Sequence, residues 1–182
     1  MIEIRIHGRG GQGAVTCAQI IAIAAFYDGK YSQAFPMFGV ERTGSPVSAF
    51  VRIDNKKIDL RSQIYNPDYV IVLDSSLMNV VNVKEGLKKK LIINSNKKID
   101  NAFCVNASKV AIEVTSKPFV NIIMAGVFAH ATKVISTNSI LKAIEEKFKD
   151  KPELIELNKK SIEEVCELNG IRDWCNNKRT WK

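Results

Sequence analysis

At 182 residues and 20.3 kDa, the chain has the length of one domain, with a core able to stand without disulfide or metal staples. Its 46% apolar and 25% charged residues exclude disorder, collagen and coiled coil. The net charge of +8 sits in two segments, Lys84–Lys98 and Ile171–Lys182; no aromatic residue interrupts the first to stack bases, so nucleic-acid binding is not expected.

Met1–His7 alternates Ile2, Ile4 and Ile6 with Glu3, Arg5 and His7, which predicts a strand with one buried face. Gly8–Gly13 follows as a glycine loop, and Ala14–Tyr27 reads as a helix stopped by Gly29. Tyr31–Phe35 is a short second strand. Pro36–Pro46 is a loop long enough to be functional in its own right. Val47–Ile53 alternates again, Asp54–Lys57 is a polar turn and Ile58–Leu60 returns, the pattern of an antiparallel hairpin. Tyr69–Leu73, Leu91–Ile93 and Phe103–Val105 are short apolar runs, the first fit for a strand covered on both faces. Helices are expected over Ser108–Val114 and Val120–Ile135, after a cap at Thr137 or Asn138, and from Pro152 to Gly170. This alternation predicts a three-layer α/β/α single domain over 1–170 with a mixed, mainly parallel sheet, followed by a polar, basic tail over 171–182.

Cys17, Cys104, Cys166 and Cys175 form no Cys-x-x-Cys pair, and His7 and His130 stand alone, so no metal site is expected. The cysteines read as reduced core residues; Cys17 lies where a helix start would favour a thiolate, yet no base accompanies it in sequence. Arg5, Arg9, Arg42, Arg52 and Arg61 crowd the first third of the chain. Their forks suit phosphate and carboxylate, so they are either solvated surface or part of an anion site. No apolar stretch reaches the ~20 residues of a membrane span, and no signal-peptide pattern opens the chain, so the expected compartment is the cytoplasm, with no membrane partner.

Gly8-Arg9-Gly10-Gly11-Gln12-Gly13 satisfies G-x-G-x-x-G between a predicted strand and helix, the context in which backbone N–H groups meet a phosphate. A dinucleotide site also asks for an acid closing the second strand. Asp28 has the distance but precedes Gly29, and Gln33 and Phe35 occupy the strand. A Walker A loop fails because Ala14-Val15 follow Gly13 in place of Lys-Ser/Thr. Close strand–helix packing explains Gly13 alone; four glycines in six residues favour an anion contact.

The run Ile4–Val15, with Gln33-Ala34-Phe35-Pro36 and Glu41-Arg42-Thr43-Gly44-Ser45-Pro46, resembles the gamma chain of 2-oxoacid:ferredoxin oxidoreductases. The resemblance continues through Asn66-Pro67-Asp68, Asp74 and Asn121 to Gly126, and fades beyond Lys149. It implies a subunit of an enzyme that converts a 2-oxoacid, coenzyme A and oxidised ferredoxin into acyl-CoA, carbon dioxide and reduced ferredoxin. Arg42-Thr43-Gly44 favours the pyruvate branch over 2-oxoglutarate, with a branched-chain 2-oxoacid still open. In enzymes of the class the chain resembles, Gly-Asp-Gly and a later Asn-Asn hold thiamine diphosphate and its magnesium, and iron–sulfur clusters need spaced cysteines. Here Asp-Gly occurs only at Asp28-Gly29 and Asn-Asn only at Asn176-Asn177. The resemblance therefore implies alpha, beta and ferredoxin-type delta partners that carry those groups, with no catalytic residue on this chain. The expected cofactor-side residues, facing coenzyme A or thiamine diphosphate at an interface with those partners, are Gly8, Arg9, Gly10, Gly11, Gln12, Gly13 and Arg42. The alternative is a stand-alone nucleotide-binding module, either an NAD or FAD enzyme or a regulatory domain.

Overall fold

The alternating Ile2, Ile4 and Ile6 place β1 (Ile2–Arg9) at the heart of a six-stranded sheet, described here in a computed structural model covering residues 1–37 and 43–168. β2 (Tyr31–Pro36), β3 (Pro46–Asp54), β4 (Tyr69–Val72), β5 (Lys90–Asn94) and β6 (Ala102–Val105) complete it in the order β2-β3-β1-β4-β5-β6. β1, β4, β5 and β6 are mutually parallel, and β3 runs antiparallel to both β1 and β2. The sheet is mixed and mainly parallel, as the sequence predicts.

The helices are α1 (Ala14–Tyr27), α2 (Ala107–Thr115), α3 (Asn121–Thr132), α4 (Thr137–Lys147) and α5 (Pro152–Leu168). All five bury residues in one core with Ile4, Ile6, Val51 and Ile71. On the opposite face Val70, Val72, Leu91 and Ile93 lie beneath Leu77 and Val83, from a 3-10 turn (Ser75–Asn79) and the coil after it. The α/β class stands, but the layer on this second face is turn and coil rather than α-helix. The segment following β4 is broken by Gly86 at φ +65° and lacks a helical apolar stripe.

Three local expectations are revised. β1 is buried on both faces, not one: Arg5 and His7 are 8% exposed. The hairpin return at Ile58–Leu60 does not form, because β3 is already paired on both edges by β1 and β2. That segment instead lies over the second face, where Gln33 Nε2 donates to Ile58 O at 2.9 Å and Arg52 Nη2 to Ser62 O at 2.8 Å. The cap of α4 is Ser136, one residue before the expected pair; its Oγ accepts from Ser139 N at 3.1 Å. The helix ending expected at Gly170 and the tail 171–182 lie outside the described residues.

Candidate functional site at the carboxyl edge of the sheet

From β1 the chain moves outward to β2 and β3 on one side, then returns to β4 on the other. The carboxyl ends of β1 and β4 therefore flank the point where strand order reverses, the usual place for a site in an open α/β sheet. The glycine loop leaves β1 there, and Asp74–Ser76 leaves β4 beside it.

The two loops are tied together. Arg9 Nε meets Asp74 Oδ2 at 2.9 Å, Arg9 Nη2 donates to Ser76 Oγ at 2.7 Å, and Gln12 Nε2 reaches Asp74 Oδ2 at 3.4 Å. Burial would raise the Asp74 carboxyl, but bonds from Ser76, Arg9 and Gln12 outweigh it and hold it below the usual carboxylate range. Asp74 is thus a fixed anion that orients the Arg9 fork. Behind it a crevice of about 340 Å³ is lined by Gln12, Asp74, Asn94, Ser95, Asn106 and Ser108. Asn94 spans its floor, donating to Leu73 O and Ser108 Oγ at 2.8 Å each.

The third component is the loop before β3. Gly10 N donates to Ser45 O at 2.9 Å, Gly44 N to Gly10 O at 3.1 Å, and Arg9 Nη1 to Gly44 O at 3.0 Å. β2 does not lie beside β1, since β3 intervenes. Two antiparallel reversals nevertheless point β2 the same way as β1, so the glycine loop and residues 43–45 share one edge and touch. Arg42 lies outside the described residues.

Gly8, Arg9, Gly10, Gly11, Gln12 and Gly13 are thus in one place, but several of their groups are already engaged. The N–H groups of Arg9, Gly10 and Gln12 bond to Gln12 Oε1, Ser45 O and Arg9 O. Gly13, at φ +80°, begins α1 without a side-chain cap and abuts the Asn121 carboxamide. The rest of the loop is the Gly11 turn, at φ +92°, which leads through Gly13 into the first turn of α1.

The other arginines do not join it. Arg5 donates to His7 Nε2 and to the carbonyls of Tyr65, Val83 and Glu85, and Arg52 pairs with Glu3 at 3.0 Å. Both fasten coil to the second face of the sheet, and Arg61 is exposed away from the loop, beside Phe35 and Leu60. Cys17 is fully buried, and burial pushes its thiol up, opposite to a reactive thiolate. Asp28 is not a ribose-binding acid: it accepts from Ser136 N, Ser136 Oγ and Ser139 Oγ, holding the start of α4. Sequence reasoning did not single out Ser76, Asn94 or Ser108; the Asp-Ser-Ser turn after an apolar strand was the available signal for the first.

The sequence model of the family described as pyruvate ferredoxin/flavodoxin oxidoreductase matches residues 3–168. The chain belongs to that family. It is 56% identical over 169 residues to the pyruvate synthase subunit PorC of Methanocaldococcus jannaschii, covering 90% of this chain and 94% of the relative. It is 46% identical over 184 residues to the common gamma subunit of the pyruvate and ketoisovalerate oxidoreductases of Pyrococcus furiosus, covering 94% and 98%. The crystal structure of the pyruvate oxidoreductase subunit PORC from Thermotoga maritima superposes with a TM-score of 0.78 at 34% identity, covering 91% and 95%. These relatives are subunits of oxidoreductases, so the stand-alone nucleotide-binding reading is not supported. No helix among the described residues of this family member is long and apolar enough to cross a membrane, and no three His, Cys, Asp or Glu side chains gather there.

Proposed function

We propose that this chain is the gamma subunit of a multi-chain pyruvate:ferredoxin oxidoreductase that makes acetyl-CoA and carbon dioxide while reducing ferredoxin. The observation that carries this reading is near full-length similarity to gamma subunits with pyruvate in their names. The Pyrococcus relative serves a ketoisovalerate enzyme as well, so a branched-chain 2-oxoacid is the second reading. On this proposal thiamine diphosphate, magnesium and the iron–sulfur clusters reside on alpha, beta and ferredoxin-type delta chains, in the cytoplasm. The gamma chain contributes the edge formed by the glycine loop and residues 43–45, facing coenzyme A and the partners. The first turn of α1 supplies donors for a coenzyme A phosphate, and Arg42 a charge-assisted bond worth about 1.5–3 kcal/mol. Arg9 stays with Asp74 and shapes the loop.

The test is reconstitution. The chain is mixed with the three partners, the mass of the complex is measured, and pyruvate- and coenzyme A-dependent dye reduction is followed. Turnover by the assembly and none by the gamma chain alone is expected; steady turnover by the pure chain, or no assembly, overturns the reading. Arg42→Ala in the assembly should weaken apparent coenzyme A affinity, or assembly itself, about tenfold.

A further inference from the structure

On the helical side of the glycine loop a second cavity of about 350 Å³ opens between the starts of α3 and α5. Its wall is apolar, built by Ile122, Phe148, Leu154 and Leu157, and the Phe119 ring stands at its lip with 54% of its surface exposed. Gln12, Thr16, Thr115, Lys117, Asn121 and Asn158 also line it, yet most of its exposed lining is apolar, the character of a surface that receives an apolar side chain. Its charge has one sign. The Lys117 ammonium lies 5.9 Å from the centre of the Phe119 ring, and no carboxylate among the described residues lines the groove.

We propose that this groove docks a segment of a partner subunit: an apolar side chain seated among Phe119, Leu154 and Leu157, with an adjacent carboxylate on Lys117. The proposal rests on the subunit reading above. An exposed aromatic beside a preformed apolar pocket is the arrangement of an interface anchor, and complementary charge at the rim fixes which segment enters. The groove also includes Gly11–Gly13, so a segment seated there reaches the glycine loop and couples assembly to the edge assigned to coenzyme A.

Phe119→Ala and Lys117→Glu test this in the reconstituted enzyme. Both side chains are exposed, so the isolated variants should unfold at the wild-type temperature. Each should bind the alpha, beta and delta partners at least tenfold more weakly. The Lys117→Glu deficit should shrink at high salt, because charge repulsion is screened, whereas the Phe119→Ala deficit should not. Phe119→Leu, which keeps apolar bulk, should recover most of the affinity. Wild-type assembly by both variants overturns the proposal while leaving the subunit reading intact. Normal assembly with a raised KM for coenzyme A assigns the groove to the small ligand and also overturns it. Self-association through the groove, abolished by Phe119→Ala while partner binding is unchanged, overturns it as well. Failure of the wild-type chain to assemble removes the subunit reading and this proposal together.

Discussion

Gly13, which closes the glycine loop, and His7, which precedes it, carry separable physics. Gly13 has a left-handed backbone, and a Cβ there would collide with the Asn121 side chain at the start of α3. Gly13→Ala should therefore lose about 1–3 kcal/mol of stability in urea unfolding, and Asn121→Ala in the same chain should return only the part due to the collision. Gly11, also left-handed but in open space, should show the backbone cost alone. His7 is buried between Arg5 and Ser48, and burial, then the Arg5 charge, pulls it down from its ordinary 6.5 to about 4. It is neutral when folded, so its contribution is complete above pH 6.5 and is lost as pH falls towards 4, where the unfolded chain takes up the proton first. Across that window the loss should reach about 3 kcal/mol. Urea unfolding from pH 7 to pH 5 should show this slope, and His7→Gln should flatten it; equal slopes would remove His7 as its source.

At the scale of elements, the polar half of the second sheet face decides where coil can sit. Arg52 is 1% exposed, bonded to Glu3 and to carbonyls between Leu60 and Gln63, with its guanidinium carbon 5.3 Å from the centre of the Phe35 ring. Arg52→Met should cost about 3–5 kcal/mol, because Glu3 and those carbonyls lose their shared donor. Amide exchange over residues 58–63 should accelerate, and unchanged exchange there would show that the arginine does not fasten the segment. This is also where the sequence misleads. Ile58–Leu60 looks like a returning strand because its alternation is real, but β3 has no free edge to receive it. Likewise, Arg5 and His7 look like a solvated face until coil from distant positions covers them.

Across the whole molecule, strand order separates this chain from a dinucleotide-binding domain. β2 lies two strand spacings from β1, about 10 Å, with antiparallel β3 between them, so its end is displaced from the glycine loop. Asp28 sits at the opposite edge and is committed to α4. Calorimetry with NAD or FAD should give dissociation constants well above a micromolar, weaker than about −8 kcal/mol; a micromolar complex would contradict this account of the edge. The same sheet divides the basic run Lys84–Lys98. Lys84, Lys88, Lys89 and Lys90 fall at or before the start of β5, and Lys97 and Lys98 beyond its end. The six lysines flank opposite edges of the sheet instead of forming one patch.

Local chemistry was legible directly. Alternation located β1 and β3, the apolar runs located β4, β5 and β6, and glycines marked the loop that opens α1, because periodicity and turn preference act over a few residues. The family, too, was readable from the glycine loop and the Glu41–Pro46 motif together, and the match over residues 3–168 bears it out. Which strand neighbours which was not readable. Insertion of β3 beside β1, the Arg9–Asp74 tie and the hold of Asp28 on the start of α4 join residues 37 to 111 positions apart. Such contacts are chosen by the joint burial of apolar faces and satisfaction of polar groups, terms that exist only once the chain has closed on itself.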